Sequence, residues 1–293
     1  MKPLTLLTLF AFLPLSLSAQ AAALSPVIEH KDIVYARVSG LSLKLDLYLP
    51  REVETSPLLI WIHGGAWRSG SKENCPLAPM TKHGFAVASI SYRLSPVAQF
   101  PAQAYDINAA IRFLRASSPH YGYDPKKFAI AGASAGGHLA ALIATANGNP
   151  ELEGDLGNHL DQSSDVQAAI NLYGCGNFLT LLEQTPNEEK RQMRAQALTL
   201  LLGDIPARVP KLAALASPAL HISDTSAPML FIHGEEDIQM PFIQGKEFYE
   251  AYKASGIKTE FIPIAGAGHG GKAFYTSERQ SQMAAFLIKA FGN

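Results

Sequence analysis

Ser134 lies within Gly132-Ala133-Ser134-Ala135-Gly136, a G-x-S-x-G pattern. A short apolar run, Phe128-Ala129-Ile130-Ala131, leads into it, and a helix-forming run from His138 to Thr145 follows at once. A serine at the tip of a tight strand-to-helix turn has a strained backbone, and glycines two residues to either side give the neighbouring chain room. The turn pushes the hydroxyl into open space, and the following helix aims its positive end at an oxyanion formed there. The chemistry implied is nucleophilic attack on a carbonyl, with the Ala135 N–H as one oxyanion donor. The same pattern also recurs in ordinary small-residue loops, so the assignment rests on what else the chain supplies.

It supplies His63-Gly64-Gly65-Ala66-Trp67, directly after the apolar run Leu58–Ile62. Paired glycines leave backbone N–H groups unshielded, and such groups can accept developing negative charge. A plain Gly-Gly turn would look the same. Its position one strand and one helix upstream of G-x-S-x-G makes the combination specific. A serine nucleophile also needs a base and an orienting acid, and folds that carry this strand-turn-helix elbow deliver them in the chain order Ser, then Asp or Glu, then His. Of nine histidines, His233 and His269 follow the serine at plausible positions. His269 sits in the glycine-rich run 265–271 after the last strand-like segment, from which an imidazole can swing onto the serine. The acid belongs in the loop after residues 228–232, which offers Glu235, Glu236 and Asp237. His63 and His138 read as hydrogen-bonded scaffold, with His63 fixing the Gly-Gly loop. Tyr92, Arg93 and Asp106 read as a packing and ion-pair set beneath that loop, and Trp67 as a wall of the pocket.

The elements that must position these residues follow from periodicity. Residues 33–38 and 41–49 form two strands joined at Ser39-Gly40, and the second alternates apolar and polar as a half-exposed antiparallel strand should. Residues 58–62, 128–131 and 228–232 are continuously apolar, and 85–90 and 166–172 are largely so, the mark of strands buried on both faces. A further strand is expected over 259–264, and helices over 103–116, 138–145, 242–255 and 277–291. This alternation argues an α/β fold with a mostly parallel sheet covered by helices on both faces, the first two strands being its antiparallel edge. Residues 178–216 break the rhythm, with a charged helical run at 187–202; the segment is too long for a simple connection and reads as a lid or side-helix insertion.

The composition, 47% hydrophobic and 17% charged, is that of an ordinary globular chain, and its 293 residues suffice for one large domain. A formal net charge of −1 gives no basic footprint for a nucleic-acid partner. Lys2, an apolar run from Leu4 to Leu17 and small residues at 19–23 form the three regions of a signal peptide, expected over 1–21. The domain is then 22–293, periplasmic or secreted, with no membrane anchor after cleavage. Cys75 and Cys175 are the only cysteines, and either a disulfide or two free thiols is compatible with export. No ligand spacing suggests a metal, and no phosphate-binding glycine pattern suggests a cofactor.

HGGAW, then SYRLSPVAQFPAQAYDINAAIRFLRA, then YGYDPKKFAIAGASAGGHLAAL resemble α/β-hydrolase esterases of the hormone-sensitive-lipase type, and within them the bacterial carbohydrate acetyl- and feruloyl-esterase-like branch. The likeness spans 32–291 and is weakest over 178–216. It implies His269 as base, His233 as structural and, by the spacing H-G-x-x-D and the run Asp237-Ile238-Gln239-Met240-Pro241, Asp237 as acid with Glu236 as the fallback. Many relatives carry a third glycine where this chain has Ala66; the H-G-G-x-W form of other branches implies an oxyanion hole from Gly65, Ala66 and Ala135. The resemblance implies hydrolysis of short acyl esters, small or polysaccharide-linked, with acetyl or feruloyl groups leading. An amidase or peptidase, an aryl formamidase or a non-catalytic binding protein would share the fold.

Overall fold

The computed structural model describes residues 27–292, so the expected signal peptide lies outside the described residues. In chain order the strands and helices are β1 Val27–Val38, β2 Leu41–Pro50, β3 Ser56–Ile62, β4 Ala86–Ile90, α1 Ala102–Tyr121, β5 Tyr123–Ala133, α2 Ala135–Thr145, α3 Pro150–Glu153, β6 Ala168–Leu172, α4 Phe178–Leu181, α5 Glu188–Leu202, α6 Pro210–Leu215, β7 Met229–Gly234, α7 Phe242–Ala254, β8 Thr259–Ile264 and α8 Ser277–Phe291. The strands form one sheet in the order β1-β2-β4-β3-β5-β6-β7-β8. β2 pairs antiparallel with both β1 and β4, and every other pairing is parallel.

Continuously apolar strands arise because both faces of this sheet are covered. Along β3, Leu58, Ile60 and Ile62 join the core shared with α1, α2 and α7, while Leu59 and Trp61 join the opposite core with Met283 and Leu287 of α8. Period-two geometry sends successive side chains into different cores. No helix of the described residues is long and apolar enough to cross a membrane.

Two expectations are corrected. β1 begins at Val27 rather than 33, because Val27–His30 already pair with β2 and Lys31 and Asp32 form an irregularity in the ladder before Ile33, a pairing that periodicity does not register. β2 is not half-exposed: on its polar face Asp46 and Tyr48 are buried. Asp46 accepts a hydrogen bond from Lys72 Nζ at 2.8 Å, and Tyr48 accepts one from Lys31 Nζ at 2.7 Å. Two lysines cover this face, which alternation alone represents as solvent-facing. The cysteines are free thiols, and burial pushes both up to about 12.

Tyr92, Arg93 and Asp106 form the expected set. The Tyr92 hydroxyl donates to the His63 carbonyl at 3.1 Å. The Asp106 carboxylate, wholly buried, receives the Arg93 backbone N–H at 2.8 Å and its guanidinium at 2.7–3.0 Å. Removing the cation leaves a buried carboxylate without its counter-charge, a change that costs about 3–5 kcal/mol. Arg93→Met is therefore expected to lower the urea-denaturation stability by about 3 kcal/mol or more; a loss below about 1 kcal/mol would contradict this account of the pair.

Candidate active site

Five strand ends converge on one place. The segment after β3 carries 63–67, the end of β5 carries Ser134, the end of β6 carries Tyr173, and the loops after β7 and β8 carry Asp237 and His269. The carboxyl ends of parallel strands are where an open α/β sheet leaves a crevice.

Ser134 adopts φ 55°, ψ −118°, a region costly for a residue with a side chain. It is the only turn that joins β5 to α2 directly. A Cβ at Gly132 would run into the carbonyl of Gly136, and one at Gly136 into the carbonyl of Ile62 on β3, so neither position admits a side chain. The Ser134 N–H donates to the Leu172 carbonyl at 2.9 Å. This bond occupies that donor, and the next N–H, that of Ala135, opens the first turn of α2.

The serine hydroxyl lies 2.8 Å from His269 Nε2, and His269 Nδ1 lies 2.7 Å from Asp237 Oδ2. The carboxylate can only accept, so Nδ1 carries the proton and Nε2 is free to receive one from Ser134. Asp237 Oδ1 accepts the backbone N–H groups of Gln239 at 2.9 Å and Met240 at 2.8 Å. Burial would raise its pKa. Hydrogen bonds from His233, His269 and the Met240 N–H, with attraction from His269, outweigh that and hold it at about 2. Asp237 is thus the acid that meets His269, while Glu235 and Glu236 are exposed. His233 is scaffold: its Nε2–H donates to the Met240 carbonyl at 2.9 Å and lies 3.4 Å from Asp237 Oδ2.

The Gly-Gly loop closes over the serine. A Cβ at Gly64 would fall 2.8 Å from the Ala133 carbonyl and 3.5 Å from the Ser134 Cβ, which measures how near the two segments lie. Gly65, Ala66 and Trp67 all have positive φ, at 112°, 52° and 58°. Ala66 therefore occupies a conformation that glycine adopts without penalty, which explains why a third glycine suits that place. The turn holds it there: Arg68 and Ser69 N–H donate to the Gly65 carbonyl at 3.1 and 3.0 Å, and Ser95 N–H to the Trp67 carbonyl at 2.8 Å. His63 donates from Nδ1 to the Gly64 carbonyl at 2.8 Å and stacks on Tyr92 at 4.4 Å.

Trp67 both lines the cavity beside Ser134 and anchors the loop. Its indole N–H donates to His138 Nδ1 at 3.2 Å, and His138 Nε2–H donates to the Ala216 carbonyl at 2.6 Å. Burial keeps His138 neutral, with its pKa lowered to about 4. This histidine ties the loop, α2 and the far end of the 178–216 insertion together. The insertion forms α4, α5 and α6. Phe178 of α4 packs against both Trp67 and His138, and Lys190, Met193, Arg194 and Ala197 of α5 line the cavity with Ser134.

Sequence reasoning missed those α5 residues and Tyr173. Lys190, Met193, Arg194 and Ala197 are spaced i, i+3, i+4, i+7, a single helix face, so the signal was present in the charged run. Tyr173 follows a buried strand directly; its ring meets His269 edge-on at 4.9 Å and its hydroxyl bonds that of Tyr275 at 2.8 Å. Two spaces flank Ser134: the cavity under α5, of about 120 Å³, and an open groove of about 1020 Å³ reaching past Tyr173, Tyr275 and Asn74. Among the described residues no group of three or more His, Cys, Asp or Glu side chains is placed to hold a metal ion.

Sheet order, elbow and strand-end loops define an α/β hydrolase of the hormone-sensitive-lipase-like class. Residues 45–252 match the family model described as BD-FAE, and the chain belongs to that family. It is similar to a truncated carbohydrate esterase from gut microbiota, at TM-score 0.82 and 31% identity over 91% of this chain and 97% of that one. It is similar also to butyrate-bound Est2, a thermophilic esterase of Thermogutta terrifontis, at TM-score 0.71 and 28% identity over 88% and 93%. Esterase LipC of Mycobacterium tuberculosis is 30% identical over 77% of this chain and 56% of its own. The chain spans about half the length of the curated relatives it matches.

Two predictions follow from this geometry. His138→Phe keeps a ring but leaves the Trp67 N–H and the Ala216 carbonyl unpaired, so urea denaturation is expected to show a loss of about 2 kcal/mol or more; no loss would deny the anchoring role. The lowered pKa of Asp237 adds stability above the ordinary carboxylate value of 3.8 that disappears as pH falls through about 2. Its size is about 2 kcal/mol. The thermal-stability gap between wild type and Asp237→Asn is expected to be full above that range and to close below it; a gap that widens on acidification would reverse the sign.

Proposed function

We propose that this chain is an exported serine carboxylic-ester hydrolase acting on short acyl esters, small or carbohydrate-linked. The observation that carries the reading is the unbroken hydrogen-bonded chain from Ser134 Oγ through His269 to Asp237 at a strained strand-to-helix turn. In this reading Ser134 attacks the ester carbonyl while His269 Nε2 takes its proton. The N–H groups of Gly65, Ala66 and Ala135 stabilise the tetrahedral oxyanion, and Asp237 holds the imidazole tautomer and stabilises the imidazolium. His269 then protonates the departing alcohol, and water cleaves the acyl-enzyme by the same path in reverse roles.

Family membership and the esterase names of the relatives support ester hydrolysis. Carbohydrate as the alcohol is supported by the carbohydrate-esterase neighbour and by the open groove, large enough for a sugar, that Tyr173 and Tyr275 line. An acetyl group suits the cavity of about 120 Å³, whereas a feruloyl group must lie in the larger groove. The segment 178–216 acts as the roof of the acyl cavity. Residues 1–21 serve as a signal peptide, and the mature chain works in the periplasm or outside the cell.

A fluorophosphonate probe is expected to label the wild type and not Ser134→Ala; a wild type that resists the probe sinks the serine mechanism. Across p-nitrophenyl esters from C2 to C12, run beside acetylated xylan, the highest kcat/KM is expected at C2–C4, and a preference for C8 or longer would overturn the short-acyl assignment. Asp237→Asn is expected to lower kcat by about 10³–10⁴-fold.

A further inference from the structure

The cavity beside Ser134 has an unusual charge. Its lining includes Arg68, Lys190 and Arg194, while no carboxylate side chain lines it among the described residues. The one acid near by, Asp237, is already committed to His269 and to two backbone N–H groups. Arg68 is exposed, Lys190 half-buried, and Arg194 only 8% exposed, so Arg194 is the inner charge and Arg68 the outer one. The Arg194 guanidinium bonds the Thr185 hydroxyl, a neutral partner. None of the three pairs with a carboxylate among the described residues, although Arg191 and Arg208 on the same insertion do.

A guanidinium stays protonated in proteins, and burying it without a counter-charge is costly. Asp237 attracts Arg194 through space without pairing with it, so Arg194 bears part of that cost at a wall of the cavity that Ser134 and His269 also line. Beside Ser134, His269 and the polar Gln239, the rest of the lining, Ala66, Trp67, Met193, Ala197 and Met240, is apolar or soft and lowers the local dielectric, which strengthens any charge pairing there. At about 120 Å³ the cavity is small and has room for a short acyl chain, such as a two-carbon spacer ending in a carboxylate.

We propose that this cavity takes an acyl group ending in a carboxylate, as in half-esters of small dicarboxylic acids, with Arg194 and Lys190 receiving the anion. The inference rests on the esterase reading and specifies its acyl side. Ser134 would form the acyl-enzyme at the esterified carbonyl, releasing the alcohol, and water would then release the free dicarboxylate; the distal carboxylate takes no part in bond-making. A charge-assisted contact of this kind is worth about 10- to 100-fold in recognition.

The test is kcat/KM by pH-stat for ethyl hemisuccinate against ethyl butyrate, which differ in the terminal charge. The wild type is expected to favour hemisuccinate by about tenfold or more, and the ratio is expected to fall toward one in Arg194→Gln and by a smaller factor in Lys190→Gln. The half-buried Lys190 variant and the wild-type ratio keep the test decisive where the Arg194 variant does not fold. A wild type that takes butyrate as well as or better than hemisuccinate overturns the inference and leaves the esterase reading standing. A parallel pair, 4-acetoxybenzoate against phenyl acetate, places the anion on the alcohol; a preference confined to that pair overturns the acyl-side assignment. Calorimetric binding of succinate against succinamide to Ser134→Ala reads the cationic cavity without turnover. Tighter succinate binding with no hydrolysis of any ester would sink the esterase reading while the anion site stands, and equal binding would remove the site.

Discussion

The backbone of Ser134 is held at φ 55°, ψ −118°, and the rest of the site depends on that constraint. Such a conformation costs about 1–3 kcal/mol and persists only where its surroundings over-determine it. Here β3, β6 and α2 do so together. The Leu172 carbonyl holds the serine N–H, the Ser134 carbonyl accepts from His138 N–H at 2.9 Å, and the carbonyls of Ile62 and Gly136 leave only glycine-sized gaps. The hydroxyl therefore faces the crevice with no freedom to turn back into the sheet.

From that fixed point the other groups are placed by contacts that reach across the chain rather than along it. His138 stands one turn into α2 and bonds Trp67 on one side and Ala216 on the other. One neutral imidazole thereby registers the Gly-Gly loop against the Ser134 turn and both against the 178–216 insertion. His233 plays the matching part on the other flank, holding the 237–240 turn so that Asp237 points at His269. The two scaffold histidines do not face the substrate, yet each sets a distance that the proposed reaction needs.

Much of this was legible in the sequence. The elbow, the Gly-Gly loop and the order of Ser134, Asp237 and His269 are local patterns, and tight turns leave strong local signatures. The buried strands were legible because two-sided burial removes polar residues from them. What was not legible required knowing what covers a surface. The polar face of β2 reads as solvent-facing until Lys31 and Lys72 are found over Asp46 and Tyr48. Likewise the charged run of α5 reads as part of a lid or side-helix insertion, and its sequence does not say which of its faces meets the site. Its inner side became part of the site only when Phe178 and the Ala216 carbonyl fixed both ends of the insertion against α2 and Trp67. Choosing Asp237 over Glu236 is a matter of one residue in a loop, and the deciding fact is burial: Glu236 faces solvent while Asp237 closes the hydrogen-bonded chain.

The two spaces around Ser134 divide the recognition problem in a way that the fold imposes. The sheet supplies the floor and the catalytic strand ends, so any ester must present its carbonyl at the same point. On one side α5 roofs a small volume with Arg194 and Lys190 on its inner face; on the other Tyr173, Tyr275 and the 70–76 segment border a space roughly eight times larger and open to solvent. A bulky alcohol has room in the groove and none under α5. On the proposed reading, acyl selectivity is set by the insertion and alcohol selectivity by the loops at the strand ends. The two linings share only Ala66, Arg68, Ser134, Gln239 and His269, so on the proposed reading the unshared residues of one wall can alter its own substrate preference while the other wall is unchanged.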